Sequence, residues 1–374
     1  MKKCCILFLI SFLAIANSFG QNDQKFYFKI DGTINTDTGT VSLRFYSDYI
    51  PNNVEELVGK VKNRKFSISG YIPEPQSVFI VFGDDYKSSD FIIEKGLQTI
   101  SINTDSTEKV PVVSNSTMVN EYPLYSAFFH HHRIKRNICD QKYESLYKLN
   151  NYSFPEAIKY SRSKELGILY KEHDKLLLNY SEKNPNSEIA FWTLIRLMSW
   201  GYEPIFDSIY NCFSDKLKNG YAGRVLNKKL QEGKVLSVGK QFPSLQCINS
   251  NNEMFSSAVF TNRKLVLVDF WFSRCLPCRA QFSSLKNLYN QFSSIGFEIV
   301  GISIDKATEK KNWEETIIND KLIWQQYWDI NGKDADKLSI NMFPTNFLVD
   351  NTGKIIAKNI SMGKLEEVLS RSLK

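Results

Sequence analysis

Two cysteines separated by two residues are the part of this 374-residue chain with the clearest chemistry. Cys275 and Cys278 stand within Trp-Phe-Ser-Arg-Cys-Leu-Pro-Cys-Arg at 271–279. At the start of a helix, two thiols at this spacing lie on one side, close enough to form a disulfide. Unpaired N–H groups and the helix dipole stabilise a thiolate there, and thiol pKa values in such motifs fall from about 8.5 to roughly 3.5–7.5. The sequence therefore predicts Cys275 as the nucleophile and Cys278 as the resolving thiol.

Strands and helices alternate around this dithiol from about residue 238 onwards. An apolar run at 264–271 predicts a strand buried on both faces, and a helix at 279–294 with a second strand at 297–304 completes a βαβ unit. The later pattern predicts helices at 309–319 and 334–340, a hairpin of strands at 346–349 and 355–358, and a closing helix at 364–374. The cysteines are thus expected where a buried strand leads into a helix.

Two prolines are expected to shape the site. Pro277 fits the opening turn of a helix, where its missing N–H costs little. Pro344, in Phe-Pro-Thr at 343–345, precedes a predicted strand. Although only about 5 to 6% of X–Pro bonds are cis, we expect a cis peptide here. It would bring the backbone of Phe343 beside the Cys275 sulfur, where it can pair with an extended substrate.

Taken together, these motifs resemble the thioredoxin superfamily, specifically its TlpA/ResA-like exported branch. The resemblance rests on Val-Leu-Val-Asp-Phe-Trp at 266–271, Cys-Leu-Pro-Cys-Arg at 275–279 and Phe-Pro-Thr at 343–345, and it covers about 238–374. It implies an α/β thioredoxin-like domain, with a central mixed sheet flanked by helices, that acts as a thiol-disulfide oxidoreductase. It also implies that Asp269 is the buried carboxylate that relays protons to the second cysteine. A carboxylate in an apolar strand is costly unless it is used or paired.

The same resemblance suggests which residues meet the substrate. We predict a catalytic role for Pro344 and substrate contacts from Trp271, Arg274, Leu276, Pro277, Phe343 and Thr345. Two departures from the family pattern stand out. Arg274 replaces the tryptophan that usually precedes the first cysteine, which alters the surface that faces a partner. Gln281 stands where many ResA-like proteins have a glutamate, which leaves Asp269 as the remaining acid/base candidate.

The first 20 residues have the pattern of a secretory signal peptide. Lys2 and Lys3 precede an apolar run from Cys4 to Ala16, and small or neutral residues follow. The run is shorter than the roughly 20 residues of a membrane-spanning helix. We therefore expect an exported, periplasmic protein, with membrane association left open. Its partners would be exported proteins that contain disulfides and a membrane-bound thiol electron donor.

Two further regions separate the leader from the redox domain. Period-two alternation across 21–117 predicts an antiparallel β-sandwich, and helical periodicity across 118–237 predicts a helical region that includes helices at 155–180 and 187–200. Both resemble the N-terminal extension of uncharacterised function in related proteins. Trp192, Trp200 and Tyr210 are interpreted as packing residues. The three adjacent histidines at 130–132 point around a helix, so no metal is expected.

Composition restricts the remaining alternatives. The net charge of +7 is spread along the chain, so no nucleic-acid partner is expected, and no cofactor is expected beyond the redox-active disulfide. Cys139, Cys212 and Cys247 fit buried free thiols, although a Cys139–Cys212 bridge stays open.

Two other functions stay open as well: a binding module with a structural disulfide, and a peroxiredoxin-like peroxide reductase. Phe272 argues against the peroxide reductase, because peroxiredoxins have Thr or Ser three positions before the reactive cysteine.

Overall fold

The computed structural model describes residues 25–105, 112–114, 116–152 and 154–373. The predicted signal peptide, residues 1–20, lies outside the described residues. In the part of the chain that is described, no helix is both long and apolar enough to cross a membrane.

The first region is a β-sheet. Its strands are β1 (Phe26–Ile34), β2 (Thr38–Phe45), β3 (Glu56–Lys62), β4 (Lys65–Ile72), β5 (Gln76–Phe82), β6 (Tyr86–Lys87), β7 (Phe91–Ile93), β8 (Gly96–Ile102) and β9 (Val112–Ser114). They hydrogen-bond in the order β6-β5-β2-β3-β4-β1-β8-β9, with β7 also on β5. The pairs are antiparallel, as the sequence predicts, except that β1 and β8 run parallel. The alternation of apolar and polar residues along a strand cannot distinguish parallel from antiparallel pairing.

One hydrophobic core serves this whole sheet. Phe28 of β1, Leu43 of β2, Ile80 of β5 and Ile100 of β8 belong to a single buried cluster. The strands are continuously hydrogen-bonded rather than divided into two sheets, and their buried side chains share this one core.

Helices follow the sheet. They are α1 (Glu121–Phe128), α2 (His130–Leu149), α3 (Glu156–Lys183), α4 (Glu188–Met198), α5 (Ile205–Cys212), α6 (Asp215–Asn219) and α7 (Tyr221–Lys234). Ser187 caps α4, since its hydroxyl accepts the N–H of Ala190 at 3.0 Å. Trp192 is buried in the helical core, but the packing role predicted for Trp200 is wrong. Trp200 is 63% exposed, because α4 ends at Met198 and leaves it in the following turn.

The C-terminal region is a mixed sheet between helices, as predicted. Its elements are α8 (Ala258–Thr261), β10 (Leu265–Trp271), α9 (Leu276–Phe292), β11 (Phe297–Ser303), α10 (Lys310–Asn319), β12 (Gln325–Trp328), α11 (Lys333–Lys337), β13 (Thr345–Asp350), β14 (Ile355–Lys358) and α12 (Met362–Ser372). The order is β12-β11-β10-β13-β14, in which β10, β11 and β12 run parallel, β13 runs antiparallel to β10, and β14 runs antiparallel to β13. The predicted βαβ unit is confirmed as β10-α9-β11. Strand β12 was not predicted, and α11 is shorter than the helix expected at 334–340.

Strand β10 lies at the centre of this sheet and is buried along its whole length. Leu267 and Trp271 belong to the core beneath α9 and α12, whereas Val266 and Val268 belong to the core on the other face. Side chains alternate between the two faces of a strand. Asp269 therefore points to the same face as Leu267 and Trp271, which is the face that α9 covers.

Direct contacts join the three regions. The Glu74 carboxylate of the sheet region accepts the N–H groups of Tyr221 and Ala222 at 3.1 and 2.6 Å, at the start of α7. Leu236, just after α7, packs in the core of the C-terminal region. Lys358 of β14 donates to the Tyr202 carbonyl at 2.9 Å. The helical region is thus fixed against both of its neighbours.

Replacing Glu74 with Ala should destabilise this arrangement. Two N–H groups in the first turn of α7 would lose their acceptor, which costs about 1 kcal/mol, as for other lost helix caps. Urea unfolding followed by circular dichroism measures the change. The matched control is Glu55→Ala, which removes an exposed carboxylate from the same region. Equal midpoints for the two variants would contradict a capping role for Glu74.

Candidate functional site

The two motif cysteines form a disulfide at the start of α9. Cys275 is the N-cap residue, and its Sγ accepts the Cys278 N–H at 3.1 Å. Pro277 occupies the first turn, where no N–H is needed. Both sulfur-bearing residues are nearly covered by protein. A thiolate at Cys275 would keep this N–H contact and face the positive end of the helix dipole, so the fold favours Cys275 as the nucleophile.

A buried carboxylate that the sequence analysis did not single out holds the loop before the cysteines. Asp305, just after β11, accepts the Ser273 N–H at 2.9 Å and the Ser273 hydroxyl at 2.6 Å. The Ser303 hydroxyl donates to the same carboxylate at 2.6 Å. The Trp328 indole N–H reaches the Asp305 carbonyl at 2.7 Å. Asp305 could have been found from the sequence as a lone carboxylate at the carboxyl end of a buried parallel strand, where loops from neighbouring strands meet.

Asp269 lies in β10, on the face that carries the disulfide. It is 3% exposed, and within the described residues its Oδ1 has no hydrogen-bond partner. Burial raises the pKa of this carboxyl to about 7, because the charged form loses its hydration. A carboxyl with this pKa can take up and release a proton near neutral pH, as a proton relay requires.

The segment around Pro344 lies against the loop that carries the dithiol. The Phe343–Pro344 peptide bond is cis, as the sequence predicts. The Phe343 ring meets the Phe272 ring edge-to-face, with centroids 5.7 Å apart. The Thr345 hydroxyl donates to the Met342 carbonyl at 2.7 Å. These contacts keep the proline segment beside the loop that precedes Cys275.

The side chains predicted to contact substrate differ in their accessibility. Leu276 is 76% exposed, and Arg274 is also exposed, with its guanidinium 3.5 Å from Glu309. Trp271, by contrast, is 1% exposed, and its indole N–H is bound to Gln326 at 3.1 Å. The predicted substrate contact of Trp271 is therefore wrong, because alternation along β10 directs its side chain into the core.

Of the remaining predicted contacts, Pro277 is exposed and Phe343 is half-buried, so both reach the surface beside the disulfide. Thr345 is buried and its hydroxyl is occupied, which leaves only its backbone available. Asn346, which sequence reasoning did not assign to the site, exchanges two hydrogen bonds with the Ile360 backbone at 2.9 and 3.2 Å. It ties the strand after Pro344 to the segment before α12.

The other three cysteines are free, and the Cys139–Cys212 bridge is not formed. Burial raises the pKa of all three thiols, which disfavours the reactive thiolate. Among the described residues, Cys275 and Cys278 are thus the candidate redox pair.

A dithiol at a helix N-terminus, next to a buried strand and a cis-proline segment, defines the thioredoxin-like class of proteins. Comparison with known sequences agrees: residues 238–358 match the AhpC/TSA family, and residues 28–122 match a domain of unknown function, DUF4369. Residues 238–358 thus form an AhpC/TSA thioredoxin-like domain that is homologous to the thiol-disulfide oxidoreductases ResA and DsbE, and a DUF4369 domain precedes it.

Individual relatives show how far the similarity extends. The thiol-disulfide oxidoreductase ResA of Oceanobacillus iheyensis is 26% identical over 152 residues, which are 39% of this chain and 78% of that protein. The thiol:disulfide interchange protein DsbE of Escherichia coli is 27% identical over 121 residues, which are 32% of this chain and 62% of that protein. The thioredoxin domain of a thiol-disulfide oxidoreductase from Bacteroides vulgatus is 33% identical over 37% of this chain and 99% of that structure, with a TM-score of 0.34.

Proposed function

We propose that this protein reduces disulfides in exported proteins by dithiol-disulfide exchange in the cell envelope. The observation that carries the proposal is the disulfide at the N-terminus of α9, in which Cys275 caps the helix and receives an N–H. The substrates would be exported proteins with disulfides. A membrane-bound thiol donor would restore the reduced enzyme in the periplasm.

The reaction would proceed in two exchanges. The Cys275 thiolate attacks one sulfur of the substrate disulfide, forms a mixed disulfide and releases the other substrate sulfur as a thiolate. Cys278 then loses its proton to Asp269 and attacks the Cys275 sulfur. The second substrate thiol leaves, and the enzyme keeps the Cys275–Cys278 disulfide. Two electrons pass from the enzyme dithiol to the substrate. The membrane-bound donor later returns two electrons to the enzyme and restores its dithiol.

The surface around the disulfide suits a protein substrate. Leu276, Pro277 and Phe343 present apolar area beside the sulfurs, and Arg274 adds a positive charge at the rim. Buried apolar contacts supply affinity, whereas the exposed cation mainly affects the association rate and the choice of partner.

An equilibrium redox titration tests the proposal. Cys139, Cys212 and Cys247 are first changed to Ala, and the protein is equilibrated with dithiol buffers of known potential. We expect a potential near or below the value of thioredoxin, about −270 mV, together with catalysed reduction of insulin. A potential near about −120 mV, as in DsbA, would instead indicate an oxidant or isomerase.

Two other outcomes would replace the proposal. A disulfide that never exchanges with the buffers would indicate a binding module with a structural bridge. Rapid consumption of hydrogen peroxide without insulin reduction would indicate a peroxide reductase.

A further inference from the structure

A groove of about 820 Å³ opens beside the redox disulfide. Pro277, which stands between the two cysteines in the chain, and Pro344 line it, α9 and the start of α12 form two of its sides, and Phe154 and Arg162 of the helical region line it from outside. Its volume lies within the range of about 300–1,000 Å³ typical of binding pockets. The N-terminal half of the chain thus contributes directly to the surroundings of the dithiol.

The inner walls of the groove carry groups that can pair with a peptide backbone. Gln281 and Gln291 line it along α9, and Asn359 and Ser361 line it from the segment before α12. Amide and hydroxyl groups both donate and accept hydrogen bonds, as the N–H and C=O groups of an extended chain require. Gln281 Oε1 is buried and has no hydrogen-bond partner among the described residues, so this amide oxygen is an unused acceptor behind the groove wall.

The outer wall combines an aromatic ring with a positive charge. The Arg162 guanidinium lies 5.4 Å from the Phe154 ring centroid, which is cation–π geometry. The Tyr147 ring of α2 packs against Phe154, which lies in the loop between α2 and α3, with centroids 5.0 Å apart. This wall offers apolar area and one cation, which suits apolar and acidic side chains next to Arg162, while Glu366 of α12 adds a carboxylate elsewhere in the lining.

The wall is held in place by contacts outside the groove. The His132 Nε2 atom lies 2.9 Å from the Leu169 carbonyl and joins α2 to α3. Leu236 and the bond from Lys358 to Tyr202 then fix the helical region on the thioredoxin-like region. The groove is therefore formed before any substrate arrives.

We propose that this groove binds an extended segment of the substrate protein next to its reacting cysteine, and that Phe154 and Arg162 select segments with apolar or acidic side chains. This inference rests on the proposed exchange reaction. It makes the helical region a determinant of substrate choice, while the chemistry stays with Cys275 and Cys278.

Kinetics with two kinds of substrate test the inference. In Phe154→Ala, kcat/KM for a disulfide-linked peptide should fall about tenfold, whereas the rate with the small 2-hydroxyethyl disulfide should not change. The wild type should favour a peptide with Asp beside the cysteine over one with Lys by about threefold, and Arg162→Ala should lose this preference. The matched controls are Leu149→Ala and Lys171→Ala, exposed positions on the same helix pair that do not line the groove. Both should behave as the wild type.

The outcomes separate the two proposals. Unchanged peptide kinetics in Phe154→Ala and Arg162→Ala would overturn the groove inference alone, as would an equal loss with the peptide and the small disulfide. A wild type that exchanges with neither substrate would overturn the oxidoreductase function and the inference with it. Redox potentials and thermal unfolding midpoints equal to those of the wild type show that each variant is folded with an intact dithiol.

Discussion

Replacing Cys275 with Ser is expected to reduce insulin turnover to the uncatalysed rate. Serine keeps an N-cap oxygen for the Cys278 N–H, so the start of α9 is preserved, but a hydroxyl cannot form the mixed disulfide. Turnover is measured as the turbidity of precipitating insulin chains in the presence of dithiothreitol. The unfolding midpoint of the reduced variant should match that of the reduced wild type, which separates lost chemistry from lost structure.

The partner variant Cys278→Ser serves as the contrasting control. It keeps the nucleophile and lacks the resolving thiol, so a covalent complex between Cys275 and the substrate should accumulate. Non-reducing electrophoresis and mass spectrometry detect this complex. Insulin reduction at the wild-type rate by either variant would contradict the assignment of the two cysteines.

Replacing Asp269 with Asn should remove a large pH-dependent contribution to stability. Burial raises the pKa of this carboxyl from 3.8 to about 7 in the folded protein. Between these values the folded state holds a proton that the unfolded chain has lost, so this group makes stability fall as pH rises. The loss begins near pH 4, is complete above pH 7 and amounts to roughly 4 kcal/mol at 1.36 kcal/mol per pKa unit.

Urea unfolding of the oxidised protein at several pH values measures this contribution. The difference between wild type and Asp269→Asn is the quantity to compare, because other groups titrate in both proteins. Glu188 is one of them, since burial raises its pKa to about 8. A difference that stays constant from pH 4 to pH 8 would show that Asp269 does not titrate in this range.

The same variant should slow the release of the mixed disulfide. Without a proton acceptor, Cys278 forms its thiolate less readily, and general base catalysis of this kind contributes about 10²-fold or more. Rapid-quench analysis of the covalent complex measures the release. Formation of the complex through Cys275 should change little, which separates a proton-relay role from a general loss of activity.

The sequence by itself determined the redox pair and the elements that carry it. Cys275 and Cys278 were identifiable because their spacing, the proline between them and the apolar strand before them are local features. Burial on both faces of β10 was also readable, since Leu265–Trp271 is apolar at every position but Asp269, as expected of a strand between two layers of helices. Asp269 stood out for that reason.

Tertiary structure alone decided which side chains meet at the site. Asp305 follows β11, 32 positions from the Ser273 that it binds, and only the parallel pairing of β10 with β11 brings the two together. Trp271 is inaccessible because its side chain lies on the face of β10 that α9 covers. Phe154 and Arg162 carry no motif and lie more than a hundred positions before the cysteines, so their place beside the disulfide follows from how the helical region docks. The periodicity of apolar residues along the sequence indicates burial and local geometry. Contacts between distant segments depend on packing that no local pattern encodes.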